Sequence, residues 1–339
     1  MTDTTVAFDS TIRRGETLLE VDDLTVVFDT EDGVVQAVSD MSWSLAAGET
    51  LAILGESGSG KSVSVQTLMG LIPKPPGRVV KGSIRYRGNE LVDASAATLR
   101  QVRGSEIAMI FQDPLSALNP VYRVGWQIAE MFRMHRGARR ADANRKAIEL
   151  MERVGIPNAA TRARQYPHEF SGGMRQRAMI AMALALDPKV LIADEPTTAL
   201  DVTVQAQIME LLQEIQRENG MGLVLITHDL GVVASVADRV VVMYGGRTVE
   251  AGPADPFYAA PAHPYSQGLM NSVPRLLGDR LRLESIPGSP PSAINVPTGC
   301  AFHPRCPHAV DRCEQERPLF VELVDRPGGS ACHRTGEFS

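Results

Sequence analysis

The chain has 339 residues, enough for one large domain or two with a sizeable core. Its 34 basic and 40 acidic residues leave a mildly acidic balance, which argues against a nucleic-acid binder, whose surface carries a basic surplus. The apolar run AMIAMALAL, Ala178 to Leu186, is far shorter than the ~20 residues of a membrane span.

Residues 1–17 are polar and aperiodic and read as a loose tail; without a basic segment followed by an apolar one, no signal peptide is expected, and the chain is placed in the cytosol. Three β-like runs follow, LLEVDDLTVVF, QAVSDMSWSL and TLAIL, on alternation and β-branched content. From Lys61 the pattern turns helical through SVSVQTLMGLI and stops at PKPPG. Residues 113–186 read mostly as helices. KVLIAD and GLVLITHD are apolar strands with helical stretches nearby, the pattern of parallel strands buried on both faces. VVVMYGGRTVEAG is expected to be a hairpin turning at Gly245 and Gly246. Thirteen of the 22 prolines lie between Pro253 and Pro327, so long helices are not expected there, and a domain boundary is placed near residue 258.

Three motifs carry chemistry. GESGSGKS, Gly55 to Ser62, fits G-x-x-x-x-G-K-[ST] between a strand and a helix, the context of a phosphate-binding P-loop. Gly55, Gly58 and Gly60 let the backbone curl around phosphate oxygens, with Glu56, Ser57 and Ser59 supplying further amides, and the helix N-terminus adds its positive end. Lys61 reaches the β- and γ-phosphates, and the Ser62 hydroxyl binds Mg²⁺. In VLIADEP, Asp194 ends a strand where a carboxylate reaches the Mg²⁺ shell, and Glu195 is placed to orient and deprotonate a water. In FSGGMRQR, Ser171 precedes Gly172, Gly173 and a helical run; this is a second anion-binding helix start or a plain helix cap.

With these motifs in order and ITHD after them, residues 18–258 resemble the ATP-binding subunit of an ABC transporter. FQDPLSALNP, HPYSQGLMNSVPRL and GCAFHPRC narrow the resemblance to the oligopeptide/dipeptide importer group, which includes nickel importers and carries a C-terminal extension, here residues 259–339. The resemblance implies an α/β fold: a RecA-like P-loop ATPase core with an antiparallel β-subdomain, a helical subdomain over about 113–186, and a small irregular C-terminal domain. It implies ATP and Mg²⁺ as cofactors, with Gln112 touching the Mg²⁺ and water region. Ser171, Gly172, Gly173 and Gln176 would meet a nucleotide held by a partner ATPase subunit, identical or homologous. Asp201 would lie at the dimer seam and His228 at the γ-phosphate. Phe28 would stack on adenine; as a residue alone it reads equally as core. Thr198 stands where serine is more usual. The implied partners are two membrane permease subunits and, indirectly, an external binding protein, with the chain on the cytoplasmic face of the membrane.

The chain's four cysteines, Cys300, Cys306, Cys313 and Cys332, all fall in the extension. Disulfides are disfavoured in the cytosol, and a proline-rich segment of ~80 residues needs a staple. A metal centre is therefore expected. The spacing lacks the close pair usual for zinc, although His303, His308 and His333 leave a mixed zinc site open. The resemblance implies a 4Fe–4S cluster. A different class of function, a soluble ABC ATPase acting on ribosomes or DNA, is disfavoured by the single P-loop and by the absence of heptads between Ser62 and Ser171.

Overall fold

A computed structural model describes residues 13–198, 200–272 and 285–337. Residues 1–12 of the expected tail, and the end of HPYSQGLMNSVPRL beyond Ser272, lie outside them. The described residues form two compact units, one within Met1–Leu18, Ala46–Gly48 and Ala94–Leu225, the other within Leu19–Leu45, Glu49–Asp93 and Ile226–Ser339.

In the first unit, strands Ile107–Ile110 and Val190–Asp194 pair in parallel, from Ile107 opposite Val190 to Ile110 opposite Ala193. Both are buried along their whole length, and both are apolar up to Asp194. Ile107–Ile110 was not anticipated from the sequence: four residues are too few to show a periodicity. The expected helical region is present, with Val124–Arg136, Arg140–Arg153 and Gly172–Leu184 as its longest members. Val124, Ile128 and Phe132, spaced one turn apart, form the buried face of the first, which stops at Gly137 in the left-handed region.

The second unit holds an antiparallel sheet in the order Gly33–Ala46, Thr17–Thr30, Gly77–Tyr86, Asn89–Glu90. A further sheet runs Val321–Glu322, Gly329–Ser330, Arg247–Pro253, Arg239–Tyr244, Thr50–Leu54. Thr50–Leu54 pairs in parallel with Arg239–Tyr244. The expected hairpin is present: Arg247 pairs with Tyr244 across Gly245 and Gly246, both at positive φ. The helix opened by Lys61 ends at Leu68, short of the expected Ile72, because the chain turns at Gly70 with φ 60°.

The C-terminal segment is irregular, as its prolines require, yet it is built into this unit. Glu250 and Ala251 pair with Ser330 and Gly329. Phe302 joins Tyr244 and Tyr265 in one buried aromatic group, with centroid distances of 4.6 to 5.4 Å. Burying side chains of this size stabilises by about 1.5–3 kcal/mol each. This group also packs with Leu54, the last residue of the strand that leads into the P-loop.

Candidate functional site

Thr50–Leu54 delivers residues 55–62 to the start of helix Lys61–Leu68. A side chain at Gly55 would place its Cβ 2.3 Å from the Met243 carbonyl oxygen, and one at Gly60 2.2 Å from that of Ala37. With φ values of 151° and 96°, only glycine fits either position. The Gly246 amide donates to the Ser59 carbonyl at 3.2 Å, tying the loop to the hairpin. Lys61 is buried, and its Nζ donates to the carbonyls of Gly55 at 2.7 Å and Glu56 at 2.9 Å. The Ser59 hydroxyl is buried and has no hydrogen-bond partner among the described residues. A buried ammonium and an orphaned hydroxyl at a helix N-terminus suit an anionic, oxygen-rich ligand. Ser62 is half-buried in the first turn.

Phe28 is half-buried, not core, and lies opposite Gly77, where a Cβ would sit 2.9 Å from the ring. His228 is exposed just past strand Gly222–Thr227. Next to it, Asp229 caps helix Leu230–Val236, accepting from the amides of Gly231 and Val232.

In the first unit, Asp194 ends its strand almost fully buried. Glu195 follows with φ 47°, a conformation that costs a non-glycine residue about 1–3 kcal/mol and marks functional positions. Its Oε2 accepts from Gln112 Nε2 at 3.0 Å and from the Thr198 hydroxyl at 2.9 Å. Gln112 and Glu195 are thus brought together, and Thr198 adds its hydroxyl. Ser171 is a helix cap: its hydroxyl accepts from the Met174 amide at 3.4 Å. Ser171 and Gly172 are exposed, and Gly173 sits so close to helix Val202–Asn219 that a Cβ would lie 3.1 Å from Val204. Gln176 is buried with its Nε2 unpartnered among the described residues. Asp201 is exposed and caps the helix that follows, accepting from the Val204 amide at 2.9 Å.

The four cysteines are free and line one small cavity. Burial pushes the Cys300 thiol up to about 11, with the other three thiols acting in the same direction. Burial also raises Cys306 and Cys332. Among the described residues, no group of three or more His, Cys, Asp or Glu side chains is arranged to hold a metal ion, so the expectation of zinc or 4Fe–4S meets no preformed ion site. The histidine hydrogen bonds do not decide the mixed Cys/His alternative. His303 Nδ1 lies 2.9 Å from the Cys300 carbonyl and His333 Nε2 lies 2.8 Å from that of Glu316. A carbonyl only accepts, so each of those nitrogens carries a proton, and the other ring nitrogen keeps its lone pair.

Two residues that the motifs did not flag reach the P-loop. Arg305, between Cys300 and Cys306, is buried and donates to both carboxylate oxygens of Glu56, at 2.6 and 3.1 Å. The Tyr265 hydroxyl accepts from the Glu56 amide at 2.9 Å. Their only sequence signal was membership of the stretches GCAFHPRC and HPYSQGLMNSVPRL.

Two family models match the chain: ABC transporter over residues 38–198, and the C-terminal region of oligopeptide/dipeptide transporters over residues 249–313. The oligopeptide transport ATP-binding protein OppD of Salmonella typhimurium is 53% identical over 302 residues, covering 89% of this chain and 90% of that protein. This chain belongs to the ATP-binding proteins of the oligopeptide and dipeptide ABC transporters. The dipeptide transport ATP-binding protein DppD of Escherichia coli is 50% identical, covering 93% of this chain and 96% of its own length. Among solved structures, the ATP-binding cassette MJ0796, dimeric and bound to ADP and Pi, aligns with a TM-score of 0.63 at 25% identity, covering 70% of this chain and 99% of its own. CbiO1 of Clostridium perfringens, part of an ABC transporter complex, aligns at 0.61 and 30% identity, covering 72% and 91%. The expected ABC ATPase fold is therefore the fold of this chain, and no helix among the described residues is long and apolar enough to cross a membrane.

Proposed function

We propose that this chain binds and hydrolyses ATP to power an importer of di- and oligopeptides from the cytoplasmic face of the membrane. The observation that carries the reading is identity of 50% or more to both OppD and DppD over about nine-tenths of the chain, extension included. The ATPase domain spans 18–258, with its helical subdomain at about 113–186, and the extension spans 259–339.

The residue roles follow the motif chemistry. Gly55 to Gly60 cradle the phosphates with backbone amides, Lys61 draws charge from the β- and γ-phosphates, and Ser62 and Asp194 serve Mg²⁺. The orphaned Ser59 hydroxyl and the buried Lys61 ammonium support this. Glu195 takes the proton of the attacking water. The hydrogen bond from Gln112 orients its carboxylate, and the strained backbone at Glu195 fits a residue held for chemistry. His228 senses the γ-phosphate and Phe28 stacks on adenine. The exposed Ser171 and Gly172, with Gly173 and Gln176, face the nucleotide of a second ATPase subunit, and Asp201 lies at the seam between the two. That second subunit is a homologous chain or a copy of this one. ATP closes the pair and hydrolysis opens it, because closure gains contacts only with the γ-phosphate present. Two membrane permeases couple to this cycle, and an external binding protein delivers peptide to them.

The extension holds a 4Fe–4S cluster on Cys300, Cys306, Cys313 and Cys332. Four thiols around one cavity support it. A cluster of four irons spreads its thiolates more widely than one ion does, so a compact ion site is not what it needs. Metal binding would deprotonate thiols that burial keeps neutral. The cluster's part is structural or regulatory, since the ATP chemistry is complete without it.

Affinity capture of the chain from native membranes tests the main reading. Recovery of two permeases, an ATPase partner and a peptide-binding protein is expected. Co-purification with ribosomes or DNA-repair proteins, or with a nickel-binding protein, would contradict peptide import.

A further inference from the structure

Glu56 is the second residue of the P-loop, and every polar group that it carries is held. Its carbonyl accepts from Lys61 Nζ at 2.9 Å. Its amide donates to the Tyr265 hydroxyl at 2.9 Å. Its carboxylate receives both arms of the Arg305 guanidinium, at 2.6 and 3.1 Å. Two of these three holds come from the C-terminal side of the chain.

Neither hold is incidental. Tyr265 is fully buried, and burial keeps its phenol protonated well above the ordinary range. Its backbone is fixed in turn. Both oxygens of the buried Glu250 carboxylate accept main-chain amides, Ala262 at 2.7 Å and His263 at 2.8 Å. His263 Nδ1 then accepts from the Tyr265 amide at 3.0 Å. Arg305 is 7% exposed. Its Nε donates to the Pro287 carbonyl at 2.8 Å, its Nη1 approaches the Tyr244 hydroxyl at 3.3 Å, and its guanidinium carbon lies 5.8 Å from the centre of the Tyr244 ring. A planar fork held at three points is suited to fix a carboxylate in one place.

The charge balance gives this arrangement a sign. A free carboxylate in a phosphate-binding loop repels the ligand that the loop exists to bind. Arg305 neutralises Glu56 and pins it away from alternative positions. The loop is then ordered before the nucleotide arrives, so that cost is not charged to binding. We propose that Arg305 and Tyr265 are positioning residues for the nucleotide: they clamp Glu56, and through it the C-terminal region sets how tightly residues 55–62 bind phosphate. Arg305 sits one residue before Cys306 on the turn His303–Arg305, so disturbance of the cysteine cavity reaches the same clamp. The proposal rests on the assignment of residues 55–62 to the nucleotide phosphates.

The test is calorimetric titration of the full chain with Mg²⁺ and a non-hydrolysable ATP analogue. Arg305→Met should weaken binding about tenfold, the scale of one lost charge-assisted contact. Adding Glu56→Gln should reverse most of that loss, bringing the double variant to within about threefold of Glu56→Gln alone, because the repelling carboxylate is gone. A purely structural role for Arg305 would lower the melting temperature of the ligand-free Arg305→Met chain and leave the affinity of its folded fraction at the parent's value. Binding by Arg305→Met equal to the parent's overturns the proposal, and so does a loss that Glu56→Gln leaves unchanged. Should Arg305→Met fail to fold, Arg305→Lys and Tyr265→Phe carry the test. Each should weaken binding about threefold with normal melting of the ligand-free chain, and parent-like affinity in both refutes the clamp. Lys61→Ala separates the underlying assignment: parent-like binding there removes the loop from the phosphates, and the clamp falls with it. Loss in Lys61→Ala beside parent-like Arg305 variants removes the clamp alone.

Discussion

The P-loop and the C-terminal segment after residue 285 adjoin in one unit yet take their shape from opposite sources. The loop is local. A strand, three glycines at positive φ and a helix start within eight residues fix where its amides point. Among its described residues the C-terminal segment has little regular backbone of its own, two short helical turns and two strands of two residues. It is ordered by distant partners: Ser330 against Glu250, Phe302 against Tyr244, Arg305 against Glu56. Local order keeps the loop's path when a remote contact such as that of Arg305 or Tyr265 is lost and only its affinity changes, whereas borrowed order fails when a partner is removed. The two regions should therefore break differently.

The largest effect belongs to the chemistry and leaves both regions intact. Glu195→Gln keeps shape and ATP binding but cannot accept a proton, so turnover in the assembled transporter should fall by ~10²–10⁴-fold. ATPase assays with the partner's site silenced check this. Lys61→Ala should come next. It strikes the local region alone, weakening nucleotide affinity by roughly 10²-fold through loss of two charge-assisted contacts, with the melting temperature nearly unchanged. Ser171→Ala should leave binding by the isolated chain within about twofold and lower hydrolysis only after assembly, by roughly tenfold, since the proposed assignment gives it an uncharged contact to the partner's nucleotide. Equal loss in isolated chains would assign Ser171 to its own site.

The borrowed order of the C-terminal segment should yield to a single Cys→Ser change at 300, 306, 313 or 332. Anaerobically purified parent should be brown and hold about four irons per chain, and each variant should lose colour and melt earlier. Colourless parent carrying one zinc would replace the cluster while keeping the staple, and metal-free, stably folded parent would remove both. The last effect is a pH dependence. Burial lowers His263 from 6.5 to about 4. The unfolded chain takes up a proton as pH falls through 6.5, while the folded chain does so only near 4, so stability is complete above 6.5 and drains away between those values. The loss is at most roughly 3 kcal/mol. The neighbouring Glu250, raised by burial, acts in the opposite sense at the acid end, so the useful reading is the difference in urea midpoint between the parent and His263→Asn. That difference should shrink as pH falls from 7 to 5.

The same contrast explains what could be read in advance. The P-loop, the Asp194–Glu195 pair and the helix start at Ser171 were legible because each is a run of adjacent residues whose chemistry depends on spacing alone. The Gly245–Gly246 hairpin was legible for the same reason. Strand Ile107–Ile110 was not, since it is buried on both faces and too short to show a period. Gly77–Tyr86 followed a proline-rich stop that masked it. Arg305 and Glu56 are 249 positions apart, and nothing in either residue announces the other. Tyr265 sat in a stretch notable only by resemblance, and its bond to the Glu56 amide appears only once the chain is folded.

The central claim is that this chain spends ATP on peptide import. Its most direct test is ATP hydrolysis by the purified transporter in proteoliposomes, with a peptide-loaded binding protein added outside. Peptide should stimulate hydrolysis and appear inside the vesicles, and both signals should vanish when the chain carries Lys61→Ala. Hydrolysis indifferent to peptide but stimulated by a nickel-loaded binding protein would contradict the account.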